Sequence, residues 1–271
     1  MSGSFLDTTV VVELAEESDL AKTWGLPYIA GNQPAQTPYY ALKELLAGRV
    51  RILCDAHNRL QAAENVGEAL MALARMPGVA GRKKDAAIQS LAAALSTAFE
   101  TNPTGGRDDI KREMLQDLAL KVSRLWRNAR KTNGIKIIQP LACFNNGSLS
   151  HGPTGELRGP ADSFNCLESE RCAAAAYIHD NAASLSKLID ALHPNNLDPA
   201  AAAKNENQKR RKALKELKHA GPTAFGKASC RALGDAYFAA MCPAGSAVLT
   251  TNSSDHLPLC ASLGKAVVSP K

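Results

Sequence analysis

Four carboxylates in this 271-residue chain occupy positions where they could share a metal ion. Asp7 closes the short apolar run 4–6, and Asp255 comes shortly after the apolar run 247–250. Glu44 and Asp235 stand among apolar residues, where a carboxylate costs free energy unless it is paired or bound to a cation. Brought together, the four would suit Mg²⁺ or Mn²⁺, which are hard cations that prefer oxygen ligands. Two such ions can activate a water molecule and stabilise the leaving oxygen in phosphodiester hydrolysis.

Each carboxylate also has an ordinary structural explanation. Asp7 could only cap a helix, and Asp255 could be a turn residue. Asp235 could be a helix charge that the dipole favours, and Glu44 could simply be exposed. The metal-site hypothesis therefore depends on a fold that brings these residues to one place.

Short apolar runs that alternate with helical patterns predict an α/β fold with a parallel sheet. In such sheets, sites form beyond the carboxyl ends of the strands. The run after Asp7 can be a helix that begins at Thr8 and Thr9, or it can prolong the first strand. Thr37-Pro38 predicts a helix start. We expect strands at 4–6, 26–30, 135–141, 247–250 and 266–268, and helices at 38–47, from there to about 76, and at 85–100, 108–131, 168–192, 198–219, 227–241 and 254–263.

Four short segments resemble, in order, the PIN-domain family of metal-dependent nucleases. The opening Phe5-Leu6-Asp7-Thr8-Thr9-Val10 is similar to the family's first strand with its Asp and Thr. Tyr40-Ala-Leu-Lys-Glu44-Leu is similar to the second acidic segment. Gly234-Asp235-Ala236-Tyr-Phe-Ala239-Ala240 and Thr251-Asn252-Ser-Ser-Asp255-His256 resemble the two closing motifs. His256 replaces the usual Phe, a change that we expect to alter packing more than chemistry.

The resemblance implies a PIN-like three-layer α/β/α domain over residues 1–271, with a five-stranded parallel sheet. Residues 55–131 would be a helical insertion, and the Gly/Pro-rich segment 144–166 a long loop. The implied activity is that of an endoribonuclease that uses Mg²⁺ or Mn²⁺. The implied catalytic metal ligands are Asp7, Glu44, Asp235 and Asp255, with Glu13 as a competitor of Glu44; the implied groups that position water or phosphate are Thr8, Thr9 and Asn252.

Two basic segments could meet an RNA backbone, and the formal net charge is +6. Their simpler explanation is a pair of solvated helix faces. Neither contains interleaved aromatic residues, so a base-stacking platform is not indicated. The residues that we select as nucleic-acid contacts are Arg124, Arg127, Lys131, Arg210 and Arg211.

Several other classes are excluded or unsupported. The seven cysteines have no standard zinc spacing, and free thiols in the cytoplasm are expected. The sequence has no phosphate-binding GxxxxGK[ST] loop and no credible membrane span. Family analogy adds a toxin or defence role, an inhibitory protein partner and a possible homodimer. The alternatives are a catalytically weak PIN-like RNA-binding or scaffold protein whose helical insertion docks a partner, and an unrelated helical adaptor without a parallel sheet.

Overall fold

Seven short strands occur in the part of the chain that the structure, a computed structural model, describes: residues 3–75, 81–129, 131, 134–138, 148–159, 172–203, 205–224 and 227–271. They are β1 (Ser4–Leu6), β2 (Ala35–Pro38), β3 (Ile135–Ile138), β4 (Ser150–His151), β5 (Leu157–Arg158), β6 (Ala247–Leu249) and β7 (Ala266–Val268).

Helices make up most of the rest of the described chain. The α-helices are α1 (Thr8–Glu16), α2 (Leu26–Gly31), α3 (Tyr39–Leu45), α4 (Arg51–Ala62), α5 (Val66–Ala74), α6 (Gly81–Thr101), α7 (Arg107–Asn128), α8 (Ala173–Asp180), α9 (Ala182–Ala191), α10 (Pro199–Ala203), α11 (Asn205–Ala220), α12 (Lys227–Met241) and α13 (Ser253–Ser262). Two π-helices, Ala21–Gly25 and Leu46–Val50, and two 3₁₀ turns, Pro194–Asn196 and Pro222–Ala224, connect some of them.

Five strands form one parallel sheet in the order β3-β2-β1-β6-β7. The central strand β1 pairs with β2 on one side and β6 on the other, so that Phe5 lies beside both Gln36 and Val248. From β1 the chain builds outward to β3, and it later returns to the opposite side of β1. The strand order therefore reverses between β1 and β6, and in open α/β sheets ligands bind beyond the carboxyl ends at such a point. The parallel sheet contradicts the helical-adaptor alternative.

The central strand β1 lies in the hydrophobic core of the first unit. All three residues of β1 are buried, which suits a parallel strand covered on both faces. Phe5 meets Phe238 of α12 edge to face, with ring centroids 6.3 Å apart. Tyr237, also on α12, contacts Tyr40 of α3 in the same geometry at 5.4 Å. This packing fixes α12, and with it Asp235, against the sheet.

The chain divides into two compact units. The first comprises Met1–Lys43, Thr132–Asn145 and Asn165–Lys271, and it contains the parallel sheet. The second comprises Glu44–Lys131 and Asn146–Phe164. The predicted insertion 55–131 falls wholly within the second unit, and that the whole chain forms one PIN-like domain stays a prediction.

Part of the predicted loop 144–166 has regular structure. Strands β4 and β5 pair antiparallel, and Asn58 of α4 holds this hairpin from the side. The Asn58 side chain accepts a hydrogen bond from Leu157 N (2.8 Å) and donates one to Leu157 O (3.0 Å). Residues 144–147 and 160–166 of the predicted loop lie outside the described residues, as do 139–141 of the third predicted strand and 168–171 of a predicted helix.

The predicted strand at 26–30 is wrong. Helical backbone begins at Ala21 and runs into α2, and Pro27 is tolerated because it sits in the first turn. The second strand is instead Ala35–Pro38, and the helix predicted to start at Thr37-Pro38 begins one residue later, at Tyr39. Thr37 is buried and its Oγ1 donates to Leu6 O at 3.0 Å, which ties β2 to β1.

The other predicted elements agree with the structure within a few residues, except that two predicted helices are each divided. Residues 63–65 separate α4 from α5, and Asn181 separates α8 from α9. Of the two possibilities left open after Asp7, the helix is correct. None of the helices in the described ranges combines the length and the apolarity that a membrane span requires.

Candidate functional site

Asp7 is held rigidly at the point where β1 gives way to α1. It is the N-cap of α1, with φ −76° and ψ 162°, and only 4% of it is exposed. Its Oδ1 accepts a hydrogen bond from Thr8 N at 2.6 Å. Its Oδ2 accepts hydrogen bonds from Thr9 Oγ1 and Thr250 Oγ1, both at 2.9 Å. The cap explanation and the site explanation of Asp7 are therefore both compatible with its contacts.

The two threonines also fix the segment that follows β6. Thr9 Oγ1 accepts a hydrogen bond from Thr251 N at 3.0 Å, and Thr250 Oγ1 accepts one from Asn252 N at 2.9 Å. The carboxyl ends of β1 and β6 are thus joined through side chains at the point where the strand order reverses. Thr8 contributes its backbone N–H to this arrangement.

His256 links two of the candidate carboxylates. Its Nε2 lies 3.3 Å from Asp7 Oδ2 and 3.7 Å from Asp235 Oδ1, and the side chain is almost fully buried. Burial disfavours the charged ring, but the hydrogen bond and charge of Asp7, the Cys260 contact and the charge of Asp235 outweigh it. Together they raise the pKa of His256 to about 10. His256 does pack against Phe238, but the expectation that it alters packing more than chemistry is wrong, because it adds a positive charge.

Arg210 neutralises Asp235 from the neighbouring helix α11. Its Nη2 donates to Asp235 Oδ2, and its Nη1 donates to Asn207 Oδ1 at 2.7 Å. Asn207 is itself buried and donates to Ala201 O at 2.9 Å. The prediction that Arg210 belongs to a basic outer surface is wrong, since only 6% of the residue is exposed.

The pKa values of the two carboxylates move in opposite directions. Burial tends to raise the pKa of Asp7, but His256, Thr250 and Thr9 outweigh it and the pKa is lowered. Burial also raises the pKa of Asp235, and the neighbouring charges of Asp7 and Asp255 add to that rise against the lowering effect of Arg210 and His256. Asp235 is thus the less favourable of the two to keep ionised, and it gains most from a nearby cation.

Asp255 lies in the first turn of α13, close enough for its charge to act on Asp235. Asn252 Nδ2 donates to Asp255 Oδ2 at 2.6 Å, and Asn252 Oδ1 accepts from Ser254 Oγ at 3.1 Å. The predicted phosphate-positioning residue Asn252 therefore orients a carboxylate here.

Glu44, the fourth predicted ligand, belongs to a different compact unit from the other three. Glu44 lies in α3, which starts directly after β2, and its residue is half-buried. It is also the first residue of the second compact unit, whereas Asp7, Asp235 and Asp255 belong to the first. Its competitor Glu13 lies near the end of α1, where its carboxylate accepts a hydrogen bond from Ser18 Oγ. Glu44 as a ligand stays a prediction.

The donors fit a hard divalent cation in their chemistry, because they are carboxylates and the charges of Asp7 and Asp255 both act on Asp235 at the carboxyl edge of the sheet. Arg210 and His256 supply the compensating charge in this arrangement. As these side chains stand, no group of three or more Asp, Glu, His or Cys residues within the described ranges is arranged to hold a metal ion. Arg210 occupies Asp235 and His256 contacts both Asp7 and Asp235, so a cation at these carboxylates would have to displace both side chains.

The remaining predicted nucleic-acid contacts are distributed over both units. Arg124, Arg127 and Lys131 are exposed and belong to the second unit. Arg211 is half-buried and lines a cavity in the first unit.

Sequence reasoning missed the contacts of Arg210 and the role of Thr250. The contact of Thr250 with Asp7 could have been predicted from the sequence, because a hydroxyl directly after the strand next to β1 must lie close to Asp7. The sequence contains no such signal for Arg210, because it stands 25 residues before Asp235 in a run of basic residues. Only the packing of α11 on α12 brings it to Asp235.

Comparison of the chain with protein-family models, with curated proteins and with solved structures finds no match in any of the three.

Proposed function

We propose that the protein is a PIN-like metal-dependent endoribonuclease. The observation that supports this best is the proximity of Asp7 and Asp235, whose carboxylates lie 3.3 Å and 3.7 Å from His256 Nε2 where the strand order of a parallel sheet reverses, with the charge of Asp255 also acting on Asp235. His256 and Arg210 compensate the charges of Asp7 and Asp235 in the structure. A divalent cation could take over that compensation, because buried like charges repel one another unless a positive charge lies between them.

Each carboxylate of the site would have its own role in holding the metal. Mg²⁺ or Mn²⁺, when bound, would lower the pKa of a coordinated water and neutralise charge on the scissile phosphate. Asp7, whose orientation is fixed by Thr9 and Thr250, is the pre-organised ligand. Asp235 and Asp255 complete the set, and Glu44 is the fourth ligand that the resemblance implies.

RNA is the substrate class that we propose. The family resemblance implies it, and the net charge of +6 favours a polyanion. Exposed Arg124 and Arg127 lie on one helix, three residues apart, and can contact a phosphate backbone without reading its sequence.

Cleavage of end-labelled RNA and of single-stranded DNA tests the proposal. Purified protein would be incubated with Mn²⁺, with Mg²⁺ and with EDTA, beside Asp235→Asn and the control Lys209→Gln on the exposed face of α11. We expect metal-dependent cutting of RNA that Asp235→Asn loses and Lys209→Gln keeps. Cutting that survives in EDTA or in Asp235→Asn would contradict the proposal.

A second candidate is a catalytically weak PIN-like protein that binds RNA. The observation that favours it is the pairing of Asp235 with Arg210 and of Asp7 with His256, since both carboxylates are neutralised without a metal. Folded protein that binds RNA in the same assay, with no cutting in any metal, would favour this candidate over the nuclease.

A further inference from the structure

Helix α11 also borders a cavity of about 530 Å³ in the first unit, and neither Asp235 nor Arg210 lines it. The segment that leads from α9 to α10 forms the apolar wall, with Leu192, Pro194, Leu197 and Ala202. Arg211, Lys212 and Lys215 of α11 form the basic wall. This volume is typical of sites for small organic ligands.

Among the described residues, the positive charges that line this cavity outnumber the negative ones. Lys212 lies 3.8 Å from Glu216, so that pair cancels approximately. Arg211 and Lys215 have no hydrogen-bond or ion-pair partner within the described ranges, and the Nε of Arg211 is buried without an acceptor. A buried donor without a partner is unfavourable, so an anion on the Arg211 guanidinium would be favoured.

Consecutive arginines thus have opposite environments on α11. Arg210 is buried and its guanidinium is shared by Asn207 and Asp235. Arg211 faces a cavity that has an aliphatic wall on one side and a net positive charge on the other. The ligand that matches this surface has a flat or apolar body and an anionic end.

We infer that this cavity binds a nucleoside monophosphate unit, with its phosphate on Arg211 and Lys215 and its base against the aliphatic wall. The unit can be a free nucleotide or one nucleotide of an RNA strand, because both present the same chemistry. Binding here does not depend on the metal-site carboxylates.

The residues that line the cavity also indicate that it does not discriminate between bases. Both ends of the Asn207 amide are already used, by Arg210 and by Ala201 O. The Gln208 amide donates to Ala202 O at 3.3 Å. We therefore expect purine and pyrimidine nucleotides to bind within about threefold of each other, since hydrogen bonds to base edges are what discriminate between them.

Isothermal titration calorimetry in EDTA tests this inference with AMP, UMP, adenosine, inorganic phosphate and octanoate as probes. The proteins are the wild type, the double variant Arg211→Gln/Lys215→Gln, and Lys209→Gln, which removes a charge from the same helix outside the cavity. We expect AMP and UMP to bind the wild type at least tenfold more tightly than adenosine, phosphate or octanoate do. The double variant should lose at least tenfold in AMP affinity, and Lys209→Gln less than twofold.

A six-nucleotide oligoadenylate, titrated into Asp235→Asn in EDTA, distinguishes the two sources of the nucleotide. Binding at least tenfold tighter than that of AMP, and lost with Arg211→Gln/Lys215→Gln in the same background, assigns the cavity to RNA. Weaker binding than that of AMP assigns it to a free nucleotide.

Three results of the calorimetry would overturn the inference. They are equal AMP affinity in the wild type and the double variant, no AMP binding, and octanoate binding as tight as that of AMP. A failure of RNA cleavage with intact AMP binding would count against the proposed function alone.

Discussion

Replacing Arg210 with glutamine should weaken the fold and tighten metal binding at the same time. Removing one partner of a fully buried ion pair costs about 3–5 kcal/mol. Because 28% of the Asp235 side chain is exposed, solvent screening reduces this cost to about 1.5–3 kcal/mol, the range for a hydrogen bond to a charged group. We expect the free energy of unfolding in EDTA to fall by that amount.

The same contact opposes any cation that approaches Asp235. A divalent ion must first displace the guanidinium, so the free energy of the Arg210–Asp235 contact is subtracted from the binding free energy. Since 1.4 kcal/mol corresponds to a tenfold change in affinity, Arg210→Gln should bind Mn²⁺ about 10- to 150-fold more tightly than the wild type.

Two measurements separate these effects. Urea unfolding in EDTA gives the stability change, and electron paramagnetic resonance of free Mn²⁺ at pH 7 gives the affinity. Lys209→Gln removes an exposed charge from the same helix and should change neither quantity by much. The reasoning is refuted if Arg210→Gln loses stability as expected but binds Mn²⁺ no more tightly than the wild type, or if Lys209→Gln tightens binding equally.

Three further predictions concern the surroundings of the site. Thr250→Val removes a hydrogen bond to the Asp7 carboxylate and should cost about 1.5–3 kcal/mol in urea unfolding, whereas Thr250→Ser keeps the hydroxyl and should cost less than about 1 kcal/mol. The pKa of His256 in the folded state, about 10, lies above its ordinary value of 6.5, so its stabilising contribution is complete below pH 6.5 and is lost as the pH rises through 10. The difference in unfolding free energy between wild type and His256→Phe in EDTA should therefore shrink from pH 6.5 to pH 10, and a constant difference would contradict the charged state. Gly3→Ala should lower the free energy of unfolding by about 1–3 kcal/mol, because Gly3 has φ +153° and a Cβ there would meet the Ser246 side chain. The control Gly31→Ala, with nothing within 4 Å of its Cβ, should change that free energy by less than about 1 kcal/mol.

Much of the sheet could be predicted from the sequence, because its strands are short apolar runs between strong helical patterns. The exception is the second strand. Leu26–Ala30 is as apolar as a strand, but it continues a helical turn that starts at Ala21. Ala35–Pro38 is a strand although it contains Gln36 and ends in proline, because its backbone pairs on both sides. Local composition carries no information about that pairing.

The site could be predicted only as far as strand ends determine it. Asp7 is placed by β1, and Asp255 follows β6 within a few residues. The charges that act on them could not be predicted, because Arg210 comes from a helix in a different part of the chain. His256 could be recognised as a departure from the family pattern, but only the distances to Asp7 and Asp235 reveal its charge interactions.

Anomalous diffraction from crystals soaked in Mn²⁺ shows directly whether these carboxylates bind a metal, since it locates the ion without reference to activity. We expect a manganese peak bound by Asp7, Asp235 and Asp255, with the Arg210 side chain moved off Asp235. The peak should be absent from matched Asp235→Asn crystals. A crystal in which Arg210 still pairs with Asp235 and no manganese lies near Asp7, at concentrations where the protein cuts RNA, would contradict it.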